Sequence, residues 1–279
     1  MAYETFKPQM WTDGVLENLD NAQVLVALAN REYEGELQEG TSVVINEVGN
    51  VTVGDYAGTV EYEEIDSASK VLQITEHSYV GIKLKDIDKV QANVNLTAKL
   101  QERMAYGLAN KQDTFLALKY ADAGLTVTGT TGSPTSITSA NIISLFTGAN
   151  RKLDEANAPQ MGRVAVVSPW IKEKMILAKI LRDTDNTSTM VNGYVGNYLG
   201  FEIHVSNNIS HSGTTWYAPM FFIKGMSIAF ADQLSEMEAL RAESSFEDKM
   251  RALDLYGGKV VYPKTLAVAY VASGAESTI

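Results

Sequence analysis

The sequence predicts an α+β fold, and three stretches carry that prediction. Residues 85–123 hold no proline, and Gly107 is their only glycine. Residues 41–84 change to a period of two, and residues 163–223 alternate strand, helix and strand. The first stretch organises the rest. Leu100, Met104 and Leu108 recur every four residues, with Phe115 two turns further on, drawing an apolar stripe along one helix face. Lys99, Gln101, Glu102, Arg103, Lys111 and Gln112 fill the solvated positions. Asp86 and Asp88 suit a first turn, where the macrodipole favours negative charge, and Gly124 falls where a left-handed cap would. Such a helix, if continuous, is roughly 50 Å long at about 1.5 Å per residue and needs a surface to lie on.

The other elements follow in chain order. Residues 1–12 are irregular yet carry Phe6, Pro8 and Trp11, so this leader is expected to dock its aromatics on something. Asp13 can cap a short helix reaching about Ala29 on Val15, Leu16, Leu19, Val24, Leu25 and Leu28. TSVVINEVGNVTVGDY reads as strand, turn at Gly49-Asn50, and strand. TVEYEE and KVLQITEHSYVGIKLK read as two more strands around a turn at Asp66-Ser67-Ala68-Ser69, with Val60, Tyr62, Val71 and Ile74 alternating loosely. So thin a ribbon buries no core of its own, because isolated two-stranded ribbons are marginal in water. It either packs back on the long helix or reaches another subunit.

After Gly124, LTVTGTTGSPTS gives a short strand and a loop that marks a boundary between two units. Ser139 is the expected cap of a helix on Ile142, Ile143, Leu145, Phe146 and Leu153, ending before Pro159. VAVVSP is an apolar run of the buried-strand kind, and a helix is expected from Trp170 to Leu181. A polar loop around 183–189 precedes a strand at Met220 to Ile223. The tail reads as strands with long connections, the last supplied by Val260, Val261, Leu266, Val268 and Tyr270.

Composition narrows the function. With 45% hydrophobic residues the chain can build real cores, and a net charge of -11 argues against a general nucleic-acid groove while leaving room for a locally basic inner face. The absence of cysteine excludes disulfides, thiolate metal sites and a cysteine nucleophile. MAYETFKPQMWTDG lacks the pattern of a signal peptide, and no run approaches the ~18 apolar residues of a membrane span. His77, His204 and His211 have no metal spacing, and no GxSxG is present. Gly257-Gly258-Lys259 lacks the flanking residues of a phosphate loop, and Asp183, Asp185 and Thr187 lack the glycine and glutamate of a calcium loop. No catalytic residue, cofactor, metal or membrane partner is expected. Glu32, Glu34, Glu36 and Glu39 form an acidic face that subunit salt bridges could use. Lys172, Lys174, Lys179 and Arg182 give the helix after Trp170 a basic side, read as solvated before it is read as DNA-facing.

FKPQMW, VGNVTVGDY and KDIDKVQ, followed by GRVAVVSPW, NGYVGNYLGFEIHVSNN and KVVYPKTLAVAYV, resemble the major capsid proteins of tailed bacteriophages in order and over nearly the whole chain. The resemblance implies the Hong Kong 97 fold. Residues 1–33 would be an N-terminal arm and 34–84 an extended β-hairpin loop. Residues 85–124 and 229–259 would form the peripheral domain around a spine helix, and 125–228 and 260–279 an α/β axial domain. It further implies hexamers and pentamers of one chain closing an icosahedral shell around double-stranded DNA, in a virion assembled in the bacterial cytoplasm. Phe6, Trp11, Glu34, Asp55, Tyr56, Tyr62 and Lys70 are the subunit-interface candidates, Lys70 near a loop tip. Expected partners are other copies, a portal, a possible decoration protein, packaged DNA through non-specific contacts, and a separate scaffolding protein, since no long segment precedes the arm. Some members cross-link such a lysine to an asparagine through a catalytic glutamate; no such partners stand out here, and no cross-link is expected. The nearest alternative is an encapsulin-like compartment enclosing an enzyme. An α/β enzyme using Asp183 and Asp185, and a monomeric binding module, are the others.

Overall fold

A computed structural model describes residues 24–33, 42–48, 67–85, 96–178, 194–234, 238–241 and 247–275. The leader, the Asp13 cap, the Gly49-Asn50 turn, the first helical turn at Asp86 and Asp88, and the loop around 183–189 lie outside these residues.

The chain enters through one helical turn, α1 (Leu25–Leu28), whose Leu25 and Leu28 are buried together with Val24. Strands β1 (Ser42–Val48) and β2 (Ser67–Gln73) form an antiparallel ribbon, from Ser42 opposite Gln73 to Val48 opposite Ser67. The turn expected at 66–69 is not there: Ser67, Ala68 and Ser69 pair with Val48, Glu47 and Asn46. Cross-strand pairing anchored by buried Val43, Ile45 and Leu72 outweighs the turn preference of these small residues. A break at Ile74-Thr75 then separates β2 from β3 (Glu76–Lys85), which leaves the ribbon for another sheet.

The long helix, α2, spans Leu96–Ala117, about 33 Å at about 1.5 Å per residue. It tightens into a 3-10 turn at Leu118–Asp122. Gly124 is not a left-handed cap, since its φ is not among the positive ones. Instead its N–H donates to Pro263 O (2.9 Å), and a Cβ there would stand 2.6 Å from that same oxygen. Close approach of two backbones, rather than conformation, requires the glycine.

The second unit follows as β4 (Leu125–Thr126), β5 (Thr135–Ile137), α3 (Ile142–Glu155), β6 (Arg163–Val167), α4 (Pro169–Leu177), β7 (Tyr194–Tyr198), β8 (Phe201–Val205), β9 (His211–Ser212), β10 (Trp216–Tyr217) and β11 (Met220–Ile223). The cap of α3 is Asn141, not Ser139; its Oδ1 accepts from Thr138 N (2.8 Å) and ties down the entering loop. The tail supplies β12 (Ile228–Leu234), β13 (Glu238–Arg241), β14 (Glu247–Val260), β15 (Leu266–Val268) and β16 (Val271–Ser273). Val260 closes β14 and a turn at Pro263–Thr265 separates it from β15, so the single last strand expected from Val260 to Tyr270 is divided. Proline, with no N–H to give a ladder, makes that division.

Six strands, ordered β4-β15-β11-β6-β8-β7, form the central sheet, and β5-β16-β10-β9 form a small sheet beside it. All five residues of β6 are buried because the sheet is covered twice. Ala165 and Val167 join Phe146, Leu153, Ile171 and Phe221 under α3 and α4. Val164 and Val166 join Leu25, Leu28, Leu116, Phe230 and Tyr256 on the other side. That second face fuses the two units into one body.

The third sheet runs β12-β14-β13, with β3 on the other side of β14. Met250 and Ala252 of β14 pack with Met104, Leu108, Leu100, Val80 and Ile82. This sheet is what the long helix lies on. The expected stripe of Leu100, Met104 and Leu108 faces it, but the four-residue repeat continues through Gln112 to Leu116, so Gln112 is buried rather than solvated.

Candidate functional site

Among the described residues no group of three or more histidines, cysteines and carboxylates comes together to hold a metal. The histidines stand apart in β3, β8 and β9; His211 Nδ1 donates to Ile209 O (3.0 Å), and the ring stacks on Tyr217 with centroids 5.3 Å apart. Gly257 and Gly258 sit inside β14 and serve packing. A Cβ at Gly257 would lie 2.1 Å from Gln73 O, and one at Gly258 2.8 Å from Leu116 Cδ2. Lys174 of the basic helix is buried and donates to Gly274 O (3.1 Å), which removes it from any outward patch; Lys179 and Arg182 lie outside the described residues.

The polar chemistry of the chain is concentrated where its parts join. Asp113, fully buried on α2, accepts through Oδ1 from the backbone N–H groups of Val24 (3.1 Å), Leu25 (2.6 Å) and Val26 (3.3 Å). A helix start leaves such donors without intrahelical partners, and here a carboxylate 88 residues away in sequence from Leu25 takes them. Asn208 Nδ2 donates to the other oxygen, Asp113 Oδ2 (2.9 Å), and to Asn110 Oδ1 (2.8 Å). One carboxylate therefore joins the entering chain, the long helix and the loop after β8.

One residue earlier, Gln112 Nε2 donates to Asp254 Oδ2 (2.9 Å) and fixes α2 to β14. Burial pushes the Asp254 carboxyl up, against the Gln112 hydrogen bond and with help from the charge of Asp232. Asp232 in turn binds Arg31 (3.1 Å), just past α1. The sequence left a signal for the burial of Gln112, though not for its partner. Gln112 falls four residues after Leu108, in the register of the buried stripe.

The base of the ribbon is clamped twice. Lys70 Nζ donates to Val261 O (2.6 Å) and lies 5.3 Å from the Tyr262 ring centroid, while Lys259 Nζ donates back to Val71 O (3.0 Å). Lys70 is thus not at a loop tip; β2 continues outward past it to Ser67. Phe6, Trp11, Glu34, Asp55, Tyr56 and Tyr62 lie outside the described residues.

Comparison with known proteins gives this architecture its family. Residues 79–269 match a family described as phage capsid protein. A solved structure from Mycobacterium phage Che8 is 30% identical with a TM-score of 0.79, covering 96% of this chain and 98% of that one. The capsid structure of Cyanophage P-SCSP1u superposes at 0.74 with 18% identity, over 95% and 93% of the two chains. The capsid of Ralstonia phage GP4 superposes at 0.72 with 10% identity, over 99% and 98%. No curated protein sequence matches. The fold is of the Hong Kong 97 type, and the joints just described serve a structural shell subunit rather than an enzyme. From the match over residues 79–269, together with the 30% identity along the whole chain, this protein belongs to the phage capsid protein family.

Proposed function

We propose that copies of this chain assemble as hexamers and pentamers into an icosahedral shell around double-stranded DNA, inside the bacterial cytoplasm. Residues 1–33 act as the arm, 34–84 as the extended loop, and the arm and loop dock on neighbouring copies. The observation that carries this reading is the ribbon. Its strand pair buries Val43, Ile45 and Leu72 against Ala229, Ala231 and Val261, all at the end clamped by the two lysines, while Val44 is 54% exposed. A two-stranded sheet held, among the described residues, at its base needs another surface for the rest, and a neighbour supplies it. Phe6, Trp11, Glu34, Asp55, Tyr56 and Tyr62 are interface residues on this reading. A separate scaffolding protein, a portal, a decoration protein and sparse sequence-independent DNA contacts complete the particle.

Electron microscopy of particles purified after expression with the accompanying assembly proteins, with nucleic acid assayed in the same fractions, tests the proposal. Closed icosahedral shells whose ribbons overlap neighbours are expected, with DNA inside virions. A stable monomer whose ribbon folds on its own helix, with a scaffolding partner present, overturns the assembly reading. An enzyme cargo in place of DNA selects the compartment instead.

A further inference from the structure

One cavity of the second unit stands at a place the shell reading does not use. Strands β6 and β8 are parallel neighbours, and the chain leaves them side by side at Val167 and Val205. Open α/β sheets hold their ligands outside such carboxyl ends. Here a cavity of about 230 Å³ lies there, lined by Ser168, Pro169, Trp170, Asn207, Ile209 and Tyr217. Ser168 and Ile209, each 2% exposed, form its floor, and Pro169 and Asn207 are exposed at its rim. Trp170 and Tyr217, packed edge to face with ring centroids 5.5 Å apart, make its walls.

Two polar atoms of these residues have no hydrogen-bond partner among the described residues: Ser168 Oγ and Trp170 Nε1, both shut off from bulk water. Ser168 is the N-cap of α4, where a serine side chain normally takes an N–H of the first turn. It makes no such bond, and the N–H of Ile171 goes instead to its main-chain oxygen (3.0 Å). Proline at the start of the helix has no N–H, so the leading backbone donor also belongs to Trp170. Buried donors left unmade are costly and call for a partner. The cavity is far larger than the roughly 10–15 Å³ that one water needs, so a packing flaw patched by a single water does not account for it. No lysine, arginine, aspartate or glutamate lines it among the described residues.

We infer that this cavity binds a small monocarboxylate with a short apolar body. One carboxylate oxygen accepts from Ser168 Oγ. The other accepts from Trp170 Nε1, an atom that can only donate, as the indole turns slightly toward the floor. The apolar body rests against Pro169, Ile209 and the two rings. Charge sets the class. The start of an α-helix carries roughly half a positive charge, which favours a single negative charge. Phosphate sites at helix starts add a lysine or glycine-rich backbone, and neither lines this one. An ammonium group would face the same donors and be repelled. A bound carboxylate braces the start of α4 against the chain leaving β8, so it stabilises the folded subunit.

Benzoate is the probe, titrated calorimetrically into the intact chain, with phenyl phosphate and benzylamine as controls. A Kd of about 1 mM is expected for so few atoms, with both controls binding more weakly. Ser168→Ala and Trp170→Phe should each weaken benzoate roughly tenfold, the value of one hydrogen bond to a charged group. Ser168→Ala should melt no lower than the wild type, because the hydroxyl it removes has no bond to lose. Benzoate should raise the melting temperature of the wild type and leave those of the two variants unchanged. Electron microscopy of particles prepared in benzoate should place its carboxylate against Ser168 and Trp170. Equal binding by the wild type and both variants puts benzoate elsewhere and overturns the inference, as does tighter binding of phenyl phosphate or benzylamine. So does a map in which water alone, or a side chain of a second copy, fills the cavity. A Ser168→Ala chain that melts well below the wild type gives the hydroxyl a structural role and overturns it too.

Discussion

Asp254 holds its carboxyl in the seam between α2 and β14, with Oδ2 on Gln112 and no hydrogen-bond partner for Oδ1 among the described residues. Because burial raises its pKa, the folded chain binds this proton more tightly than the unfolded chain does. Its contribution to stability is therefore present below the unfolded carboxyl's pKa and is lost as pH rises through the elevated folded value. Asp254→Asn keeps an oxygen for Gln112 and removes the charge. Its melting temperature should exceed the wild type's at pH 8, and the advantage should vanish by about pH 3, where an ordinary carboxyl near 3.9 is itself largely protonated. Replacing Asp113 should instead destabilise the fold through lost hydrogen bonds. Asp113→Ala strands three backbone donors and the Asn208 amide in a buried joint, at a cost of about 2–4 kcal/mol, readable in denaturant unfolding. Neither role was legible in the sequence. The apolar stripe on α2 was, but the partners of its polar members lie 142 residues away for Gln112 and 88 for Asp113, and spacing along one helix carries no information about them.

The same contrast governs the elements. Strands and helices with a strong local pattern were legible: β6 as a continuous apolar run, β11 at Met220–Ile223, and α3 stopping short of Pro159. Boundaries set by tertiary pairing were not, as with Ser67–Ser69 drawn into β2 and Gly124 kept for its contact with Pro263. Gly257 and Gly258 give a sharp test at this scale, because they are adjacent but meet different neighbours. The contact of a Gly257 Cβ is backbone, Gln73 O at 2.1 Å, which can yield only if the end of β2 moves off β14. That of a Gly258 Cβ is the tip of Leu116, at 2.8 Å, with Phe115 at 3.2 Å. Gly257→Ala should therefore cost about 2–3 kcal/mol, within the usual range for overpacking, and Gly258→Ala about 1. Limited proteolysis should find the ribbon opened in the first variant and intact in the second. Equal costs, or an intact ribbon in both, would contradict the packing role assigned to Gly257.

At the scale of the whole molecule the question is how subunits each carrying a net charge of -11 come together. Repulsion between net charges acts over the Debye length, about 30 Å at 0.01 M salt and about 8 Å at 0.15 M, so it is the first interaction that added salt removes. Ion pairs made in contact are partly desolvated and are screened less. The hydrophobic contacts of a docked ribbon are not weakened by salt at all. Assembly should consequently improve as salt rises from about 0.01 M to about 0.15 M, with light scattering as the readout and shells confirmed by microscopy. A wild-type yield that falls steadily with salt from the lowest concentration would mean that long-range attraction between oppositely charged regions, rather than short-range docking against a repulsive background, holds the shell together.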